Sequence, residues 1–234
     1  MISNSTQAKI LEVFKSIQGE GPYAGVPQVF VRLFECNMHC VWCDTPNSIG
    51  DGKREFKEYS ADALFKEVKG LSHGCHSISI TGGEPLVQKD FLKEFLPRLK
   101  KAGLHTYLDT NATLPDALKE LISAIDIIAM DVKLPSSTRQ RSYWKEHEMF
   151  LNIAVRKEVF IKAVISKSTD LEDIRKMVAL VKKSAPQTLV ILQPNYLEMK
   201  TGAVEKCVGF QNYCLKFLPD VRILPQVHKF MKLR

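Results

Sequence analysis

Three cysteines, Cys36, Cys40 and Cys43, fall within eight residues of this 234-residue chain. Where thiols stay reduced, such a cluster binds a metal more often than it forms disulfides. Each thiolate can reach a different iron of one cubane cluster, and such clusters normally have four protein ligands. No fourth cysteine follows at a suitable spacing, so one iron stays open, which is typical of a catalytic metal centre.

A structural zinc site, with His39 or a distant residue as the fourth ligand, is the alternative. Because His39 is the neighbour of Cys40, joint tetrahedral ligation of one ion by both is awkward, and zinc ribbons usually carry two paired cysteine motifs. We interpret the other cysteines as structural: Cys207 and Cys214 pack on the apolar face of a helix, and Cys75, although flanked by two histidines, enters a strand.

Short apolar runs alternate with amphipathic stretches along the chain and predict α/β structure. The runs predict strands at residues 28–34, 77–81, 106–109, 125–132, 158–165, 189–192 and 221–224. Helices are expected after Ser60, at Pro115 and after a capping box at residues 169–172, and Pro97 should kink or shorten another helix.

About six βα units follow from this alternation, which favours a parallel sheet in a single domain, residues 1–234. Six units are too few for a closed eight-stranded barrel. We therefore predict a partial, open TIM barrel of the (β/α)6 type, with a doubly wound sheet as the alternative.

Polar residues follow the strands at six places, and strand ends of this kind carry the active site in parallel α/β folds. They are residues 36–45, 82–85, 110–111, 133, 193–195 and 226–228. Their common register predicts one shared active site.

Composition narrows the class of protein. With 45% hydrophobic and 25% charged residues the chain is neither disordered nor a coiled coil. It has no apolar run long enough for a membrane span and no signal-peptide core at its N-terminus, so we expect a cytoplasmic protein.

The net charge of +7 is interpreted as a solvated basic surface. An anionic substrate is an open alternative, and no nucleic-acid partner is expected.

The spacing Cys-x3-Cys-x2-Cys after one strand, with Gly82-Gly83-Glu84-Pro85 after the next, resembles the radical S-adenosylmethionine (SAM) superfamily. The resemblance implies a 4Fe-4S cluster whose open iron is chelated by the amino and carboxylate groups of SAM. It also implies that the Gly-Gly-Glu-Pro edge receives the SAM amino group. One electron from the cluster then cleaves SAM to a 5′-deoxyadenosyl radical, which abstracts hydrogen from the substrate.

Four further segments resemble the 7-carboxy-7-deazaguanine synthase family of the deazapurine route to queuosine: residues 14–21, Arg32, residues 43–45 and residues 224–229. The resemblance runs from about residue 10 to residue 234. It implies a lyase that contracts the ring of 6-carboxy-5,6,7,8-tetrahydropterin, giving 7-carboxy-7-deazaguanine and ammonia with SAM used catalytically. It further implies Mg²⁺, a one-electron reductant such as flavodoxin or ferredoxin, and a homodimer.

The same resemblance implies three sets of site residues. The pterin site comprises Ile17, Gln18, Gly19, Glu20, Arg32, Thr81, His228 and Arg234. The SAM site comprises Trp42, Cys43, Asp44, Gly83, Glu84, Asp131, Val132, Lys133, Gln193, Pro194, Asn195 and Tyr196. Cys36, Cys40 and Cys43 hold the cluster, and Thr45 binds Mg²⁺.

Two departures from the family pattern bear on these expectations. Ala112 stands where the family usually has glycine, which disfavours a turn with positive φ there. Asn195 and Tyr196 follow Pro194 in place of the usual small or acidic residues, so the adenine contacts are expected to differ. The competing functions are a radical SAM activase of glycyl-radical enzymes and, less favoured, a zinc-stabilised nucleic-acid-binding module.

Overall fold

The computed structural model describes residues 6–50 and 55–233, so the predicted substrate contact Arg234 lies outside the described residues. Nine strands of the described chain form one sheet. They are β1 (Ala8–Ile17), β2 (Pro27–Leu33), β3 (Lys57–Tyr59), β4 (Ser77–Gly82), β5 (Thr106–Thr110), β6 (Ile127–Asp131), β7 (Glu158–Ile165), β8 (Val190–Pro194) and β9 (Val221–Ile223).

The order of strands across the sheet identifies the architecture. It is β3-β1-β2-β4-β5-β6-β7-β8-β9, and every neighbouring pair from β2 to β9 is parallel. A doubly wound sheet would reverse direction at a switch point, whereas here each parallel strand adds beside the previous one. The prediction of an open, partial barrel is therefore confirmed, and β3 and β9 form its two edges.

Two strands at one edge of the sheet, β1 and β3, were not predicted from the sequence. β1 pairs antiparallel with β2, and the short β3 pairs antiparallel with β1. β1 mixes charged and apolar residues without a clean alternation, because most of its length is only partly buried. Its position is set by pairing with β2 rather than by a pattern of its own.

Eight α-helices occur in the described chain, and they include those expected after Ser60 and at Pro115. They are α1 (Ala61–Leu71), α2 (Lys89–Lys101), α3 (Pro115–Leu121), α4 (Pro135–Thr138), α5 (Trp144–Ala154), α6 (Leu171–Ser184), α7 (Ala203–Cys214) and α8 (Val227–Phe230). None of the described helices is long and apolar enough to span a membrane.

Pro97 does not shorten its helix, so that part of the prediction was wrong. α2 continues through Pro97 to Lys101, burying Phe91, Phe95 and Leu99 on its apolar face. Pro97 lies on the exposed side, where water can hydrate the Lys93 carbonyl that lacks its usual amide donor.

The start of α6 differs by one residue from the predicted capping box. Asp170 is the N-cap, and its carboxylate accepts a hydrogen bond from the Asp173 amide at 2.8 Å. Thr169 instead accepts from the Ser166 amide at 2.9 Å and closes the preceding turn. An aspartate at the N-cap also suits the positive end of the helix dipole.

Side chains alternate between the two faces of the sheet and build two apolar clusters. The larger cluster lies between the outer face and the helices, and includes Val31, Ile80 and Ile161. The smaller lies on the inner face, where Tyr107, Phe160 and other residues close one end of the barrel. Two residues further along each strand, the inner face is free to carry polar groups.

We expect Asp170→Ala to lower the free energy of unfolding by about 1 kcal/mol, because it removes the N-cap of α6. Glu172→Ala is the matched control and should change this free energy by less than about 0.5 kcal/mol, since Glu172 makes only surface ion pairs. Urea denaturation measures both. A larger loss for Glu172→Ala would restore the predicted capping box.

Candidate active site

The carboxyl ends of the parallel strands open into a cavity of about 550 Å³. Six parallel strands, β2 and β4 to β8, each place a polar side chain on the cavity wall, because the inward-facing position of each strand just precedes the loop. These side chains are Arg32, Thr81, Asp109, Asp131, Lys162 and Gln193. The register sets Arg32 beside Thr81 and Asp131 beside Lys162.

The cysteine loop after β2 forms another part of the wall, and Cys36, Cys40 and Cys43 all line the cavity. The loop is held in place because the Trp42 indole N–H donates to the Ser137 carbonyl at 2.7 Å. The remaining cysteines are remote: Cys207 and Cys214 are buried in the outer core, as predicted.

Three cavity-facing thiols fit a cubane cluster with one iron left for a ligand other than cysteine. Within the described ranges, no three His, Cys, Asp or Glu side chains converge on the position of a single metal ion. A cubane cluster does not require the three thiolates to converge on one point, since each thiolate binds its own iron. Burial raises the pKa of Cys36 to about 11 and also raises that of Cys40. Iron binding by these thiols therefore releases protons.

Gly82 and Gly83 allow the loop after β4 to pack against the start of the cysteine loop. Gly82 has a φ of +130°, and a Cβ on Gly83 would lie 2.1 Å from the Glu35 carbonyl oxygen. The Glu84 amide also donates to that carbonyl, at 2.9 Å. Both glycines are thus required by contact between two loops of the protein itself.

Glu84, which the resemblance assigns to the SAM site, does not line the cavity. It is fully buried and accepts hydrogen bonds from the Leu86 amide at 3.0 Å, the Thr110 hydroxyl at 2.8 Å and the Asn111 amide at 2.7 Å. Burial outweighs these hydrogen bonds and raises the pKa of Glu84 to about 7. Val132 is likewise buried in the outer core and off the cavity wall.

Ala112 adopts the positive φ that its side chain disfavours, at +57°. Hydrogen bonds around it offset a cost of about 1–2 kcal/mol. The Ala112 amide donates to the Thr110 hydroxyl at 3.1 Å, and the Asn111 side-chain oxygen accepts from the Thr113 amide at 3.1 Å. The turn usual for the family therefore forms without glycine.

A buried network of charges occupies the inner face. Lys162 forms an ion pair with Glu20, and its ammonium lies 3.5 Å from Asp109 and 3.8 Å from Asp131. Asp131 also pairs with Lys133 at 2.7 Å. Burial alone would raise the pKa of Glu20, but the Lys162 ammonium and hydrogen bonds from Lys162 and Gln226 outweigh it and lower that pKa to about 2.

The C-terminal segment covers the turn that carries Glu20. The side-chain amide of Gln226 donates to Glu20 at 2.7 Å and to Asp44 at 2.8 Å, and the Val227 backbone amide donates to the Gly19 carbonyl at 2.9 Å. A Cβ on Gly19 would lie 1.9 Å from His228, so only glycine permits this contact.

Most residues predicted for the site line this one cavity. They are Ile17, Gln18, Gly19, Glu20, Arg32, Cys36, Cys40, Trp42, Cys43, Asp44, Thr45, Thr81, Gly83, Asp131, Lys133, Gln193, Pro194, Asn195, Tyr196 and His228. Sequence reasoning missed Phe14, Phe30, Asp109 and Lys162 on the same wall. The available signal was a lysine within the apolar run 158–165.

Two buried acceptors on the wall lack a donor among the described residues: Asp131 Oδ1 and Gln193 Oε1. An unsatisfied buried oxygen is costly, so a bound ligand with hydroxyl or amine donors suits this position. The ribose hydroxyls and ammonium of SAM are donors of this kind. The residues present thus fit both the cluster and SAM.

Comparison with known proteins gives consistent matches. Residues 32–184 match the model of the radical SAM superfamily. A 7-carboxy-7-deazaguanine synthase of Geobacter sulfurreducens is 37% identical, with 96% of this chain and 97% of that protein covered. One from Archaeoglobus fulgidus is 32% identical, with 97% and 100% covered. A crystal structure of QueE from Escherichia coli has a TM-score of 0.66 at 21% identity, with 95% of each chain covered, and supports the fold.

We expect Cys40→Ala to lose most bound iron after anaerobic reconstitution, because three thiolates are needed for a cubane with one open iron. Cys75→Ala removes a thiol outside the cavity and should keep the iron and sulfide content of the natural protein. Chemical iron and sulfide assays with the visible spectrum measure this. Full iron loading of Cys40→Ala would remove Cys40 from the ligand set.

The free energy of unfolding of the cluster-free protein should depend on pH through the Glu84 carboxyl group. Because the pKa of Glu84 is raised from 4.5 to about 7 on folding, its contribution is fully present below pH 4.5 and is lost as pH rises through 7. The free energy of unfolding should fall by up to about 3 kcal/mol over this range. Glu84→Gln should flatten this pH dependence in urea denaturation, and equal slopes for both proteins would contradict it.

Proposed function

Because this chain belongs to the radical SAM superfamily and, within it, to the 7-carboxy-7-deazaguanine synthase family, we propose that it converts 6-carboxy-5,6,7,8-tetrahydropterin to 7-carboxy-7-deazaguanine and ammonia. The atoms balance as a carbon–nitrogen lyase reaction, since the ring loses one nitrogen as ammonia with no net oxidation. One observation carries the proposal: a single cavity holds three cysteine thiols and the Glu20–Lys162 pair.

The cysteine end of the cavity suits the cofactors. Cys36, Cys40 and Cys43 would hold the 4Fe-4S cluster, which together with SAM supplies hydrogen-atom abstraction. Asp131 and Gln193 offer their unpaired oxygens to the donors of SAM. Lys133 lines the cavity with its ammonium 5.1 Å from the centre of the Trp42 ring, and it would pair with the SAM carboxylate.

The opposite part of the cavity suits the pterin. Glu20 presents an ionised carboxylate, which accepts from the N–H groups of an aminopyrimidinone edge. Gln18 supports it, since its side-chain oxygen accepts from the Glu20 amide at 3.0 Å. Arg32 is held by Glu12 at 2.7 Å, and its remaining N–H donors suit the substrate carboxylate. His228 is on the same wall.

Thr45 offers a hydroxyl oxygen at the cavity wall for Mg²⁺. Hard cations prefer oxygen ligands, and the substrate carboxylate would complete part of the coordination. Mg²⁺ bound there would orient that carboxylate during the ring contraction.

We extend the proposal to the setting of the enzyme. Residues 1–234 form one radical SAM core domain that acts as a cytoplasmic homodimer in queuosine biosynthesis. A one-electron donor such as flavodoxin or ferredoxin reduces the cluster. The continuous sheet from β3 to β9 supports the single domain. An activase of glycyl-radical enzymes would leave the Glu20–Lys162 pair without a role.

Anaerobic incubation with the carboxytetrahydropterin, SAM and dithionite tests the function. We expect 7-carboxy-7-deazaguanine by mass spectrometry, equimolar ammonia and no net consumption of SAM. The Cys40→Ala protein is the control for chemistry without the cluster. A reconstituted enzyme that cleaves SAM but leaves the pterin unchanged would contradict the proposed substrate.

We expect Glu20→Gln to keep the cluster and SAM binding but to lose pterin turnover by about tenfold or more, because a neutral amide presents one acceptor where the carboxylate has two. Steady-state kinetics with the pterin measure this. Unchanged kinetics would remove Glu20 from substrate recognition.

Chelation of Mg²⁺ should slow turnover without weakening SAM binding, and Thr45→Ala should reduce the response to added Mg²⁺. Titration of activity with MgCl₂ measures both effects. If the natural protein is indifferent to Mg²⁺, then Thr45 is only part of the loop.

A further inference from the structure

Lys162 lies in the middle of β7 with its ammonium directed into the cavity and a side chain only 6% exposed. It contacts Glu20 and lies within 3.8 Å of Asp109 and Asp131. Those carboxylates come from the turn after β1 and from the neighbouring strands β5 and β6. A single cation therefore stands at the meeting point of three acidic side chains from different parts of the chain.

Lys162 supplies one of the two ammonium groups that form ion pairs with Glu20, Asp109 and Asp131 in the described chain. Lys133 pairs with Asp131 at 2.7 Å, which leaves Lys162 as the ion-pair partner of Glu20 and Asp109 within the described chain. Buried carboxylates that lose their cation either take up protons or turn toward water. The arrangement of Glu20 thus depends on a residue of a strand distant in sequence.

Glu20 is held at both oxygens, Oε2 by Lys162 and Oε1 by the Gln226 amide. Two donors at fixed positions restrict rotation of the carboxylate, and the remaining lone pairs can accept from a ligand in the cavity. A protonated Glu20 would instead present a hydroxyl donor to the donor edge of the pterin, and a rotated Glu20 would turn its acceptor oxygens away from that edge. Donors facing donors repel, so recognition needs Glu20 ionised and in place.

We propose that Lys162 is a positioning residue for Glu20 and thereby a determinant of specificity for a heterocycle that presents N–H donors. The proposal rests on the proposed function, because it assumes that Glu20 contacts the pterin. Lys162 acts through Glu20 and makes no contact with the reacting atoms.

A double-mutant cycle tests this. Binding of 6-carboxy-5,6,7,8-tetrahydropterin is measured by calorimetry with SAM present and no reductant, so that chemistry cannot start. The proteins are the natural enzyme, Lys162→Met, Glu20→Gln and the double variant. We expect Lys162→Met to raise Kd at least about tenfold. The double variant should bind no more weakly than the poorer single variant, because both changes remove one interaction.

Three further measurements separate positioning from a general structural effect. Lys162→Arg keeps the cation and should recover most of the lost pterin affinity. SAM affinity should change less than about threefold in Lys162→Met, and kinetics should show the loss in KM rather than kcat. Lys183→Met, which removes a surface ion pair with Glu148, should behave as the natural enzyme.

The outcomes are distinct. Additive losses in the cycle, or an unchanged Kd for Lys162→Met, overturn the role of Lys162 while the proposed function stands. If Lys162→Met does not fold, Lys162→Arg decides, since a folded Arg variant without pterin affinity overturns the proposal. If the natural enzyme neither binds nor converts the pterin, the proposed function fails first and this proposal with it.

Discussion

The carboxylate of Glu84 lies beneath the cavity wall and accepts hydrogen bonds from Leu86, Thr110 and Asn111. Through its amide the same residue also donates to Glu35, just before the cysteine loop. Three loops that follow separate strands are thereby joined through one buried residue. Loops carrying reactive groups gain precision only when a rigid scaffold restrains them, and Glu84 supplies part of that restraint through its carboxylate and its backbone amide.

A second constraint is electrostatic. The cavity collects Glu20, Asp109 and Asp131 on one side, and among the described residues Lys133 and Lys162 form ion pairs with them. Buried charged groups of this kind stay ionised because they are paired. Their mutual contacts therefore define both the shape and the charge of the region that we assign to the pterin.

The C-terminal segment completes that region from outside the barrel. Gln226 bridges Glu20, on the turn after β1, and Asp44, beside the last cysteine of the cluster loop. The bridge links the part of the cavity assigned to substrate with the part assigned to the cofactors. SAM bound at the cluster would supply the radical that abstracts hydrogen from the substrate, and this transfer would need such a fixed separation between the two sites.

The sequence by itself determined the α/β class, the parallel order of strands, the cysteine loop and most residues of the cavity, because strand periodicity and motif spacing are local properties. Only the tertiary structure decided the roles of Glu84, Ala112 and Lys162. Whether a carboxylate faces a cavity or anchors loops depends on partners distant in sequence. The same holds for the positive φ of Ala112, which is stabilised by hydrogen bonds that backbone amides donate to the neighbouring side chains of Thr110 and Asn111. In the sequence Lys162 is a single charged residue within an apolar strand. Only the fold brings the three carboxylates of Glu20, Asp109 and Asp131 close to it.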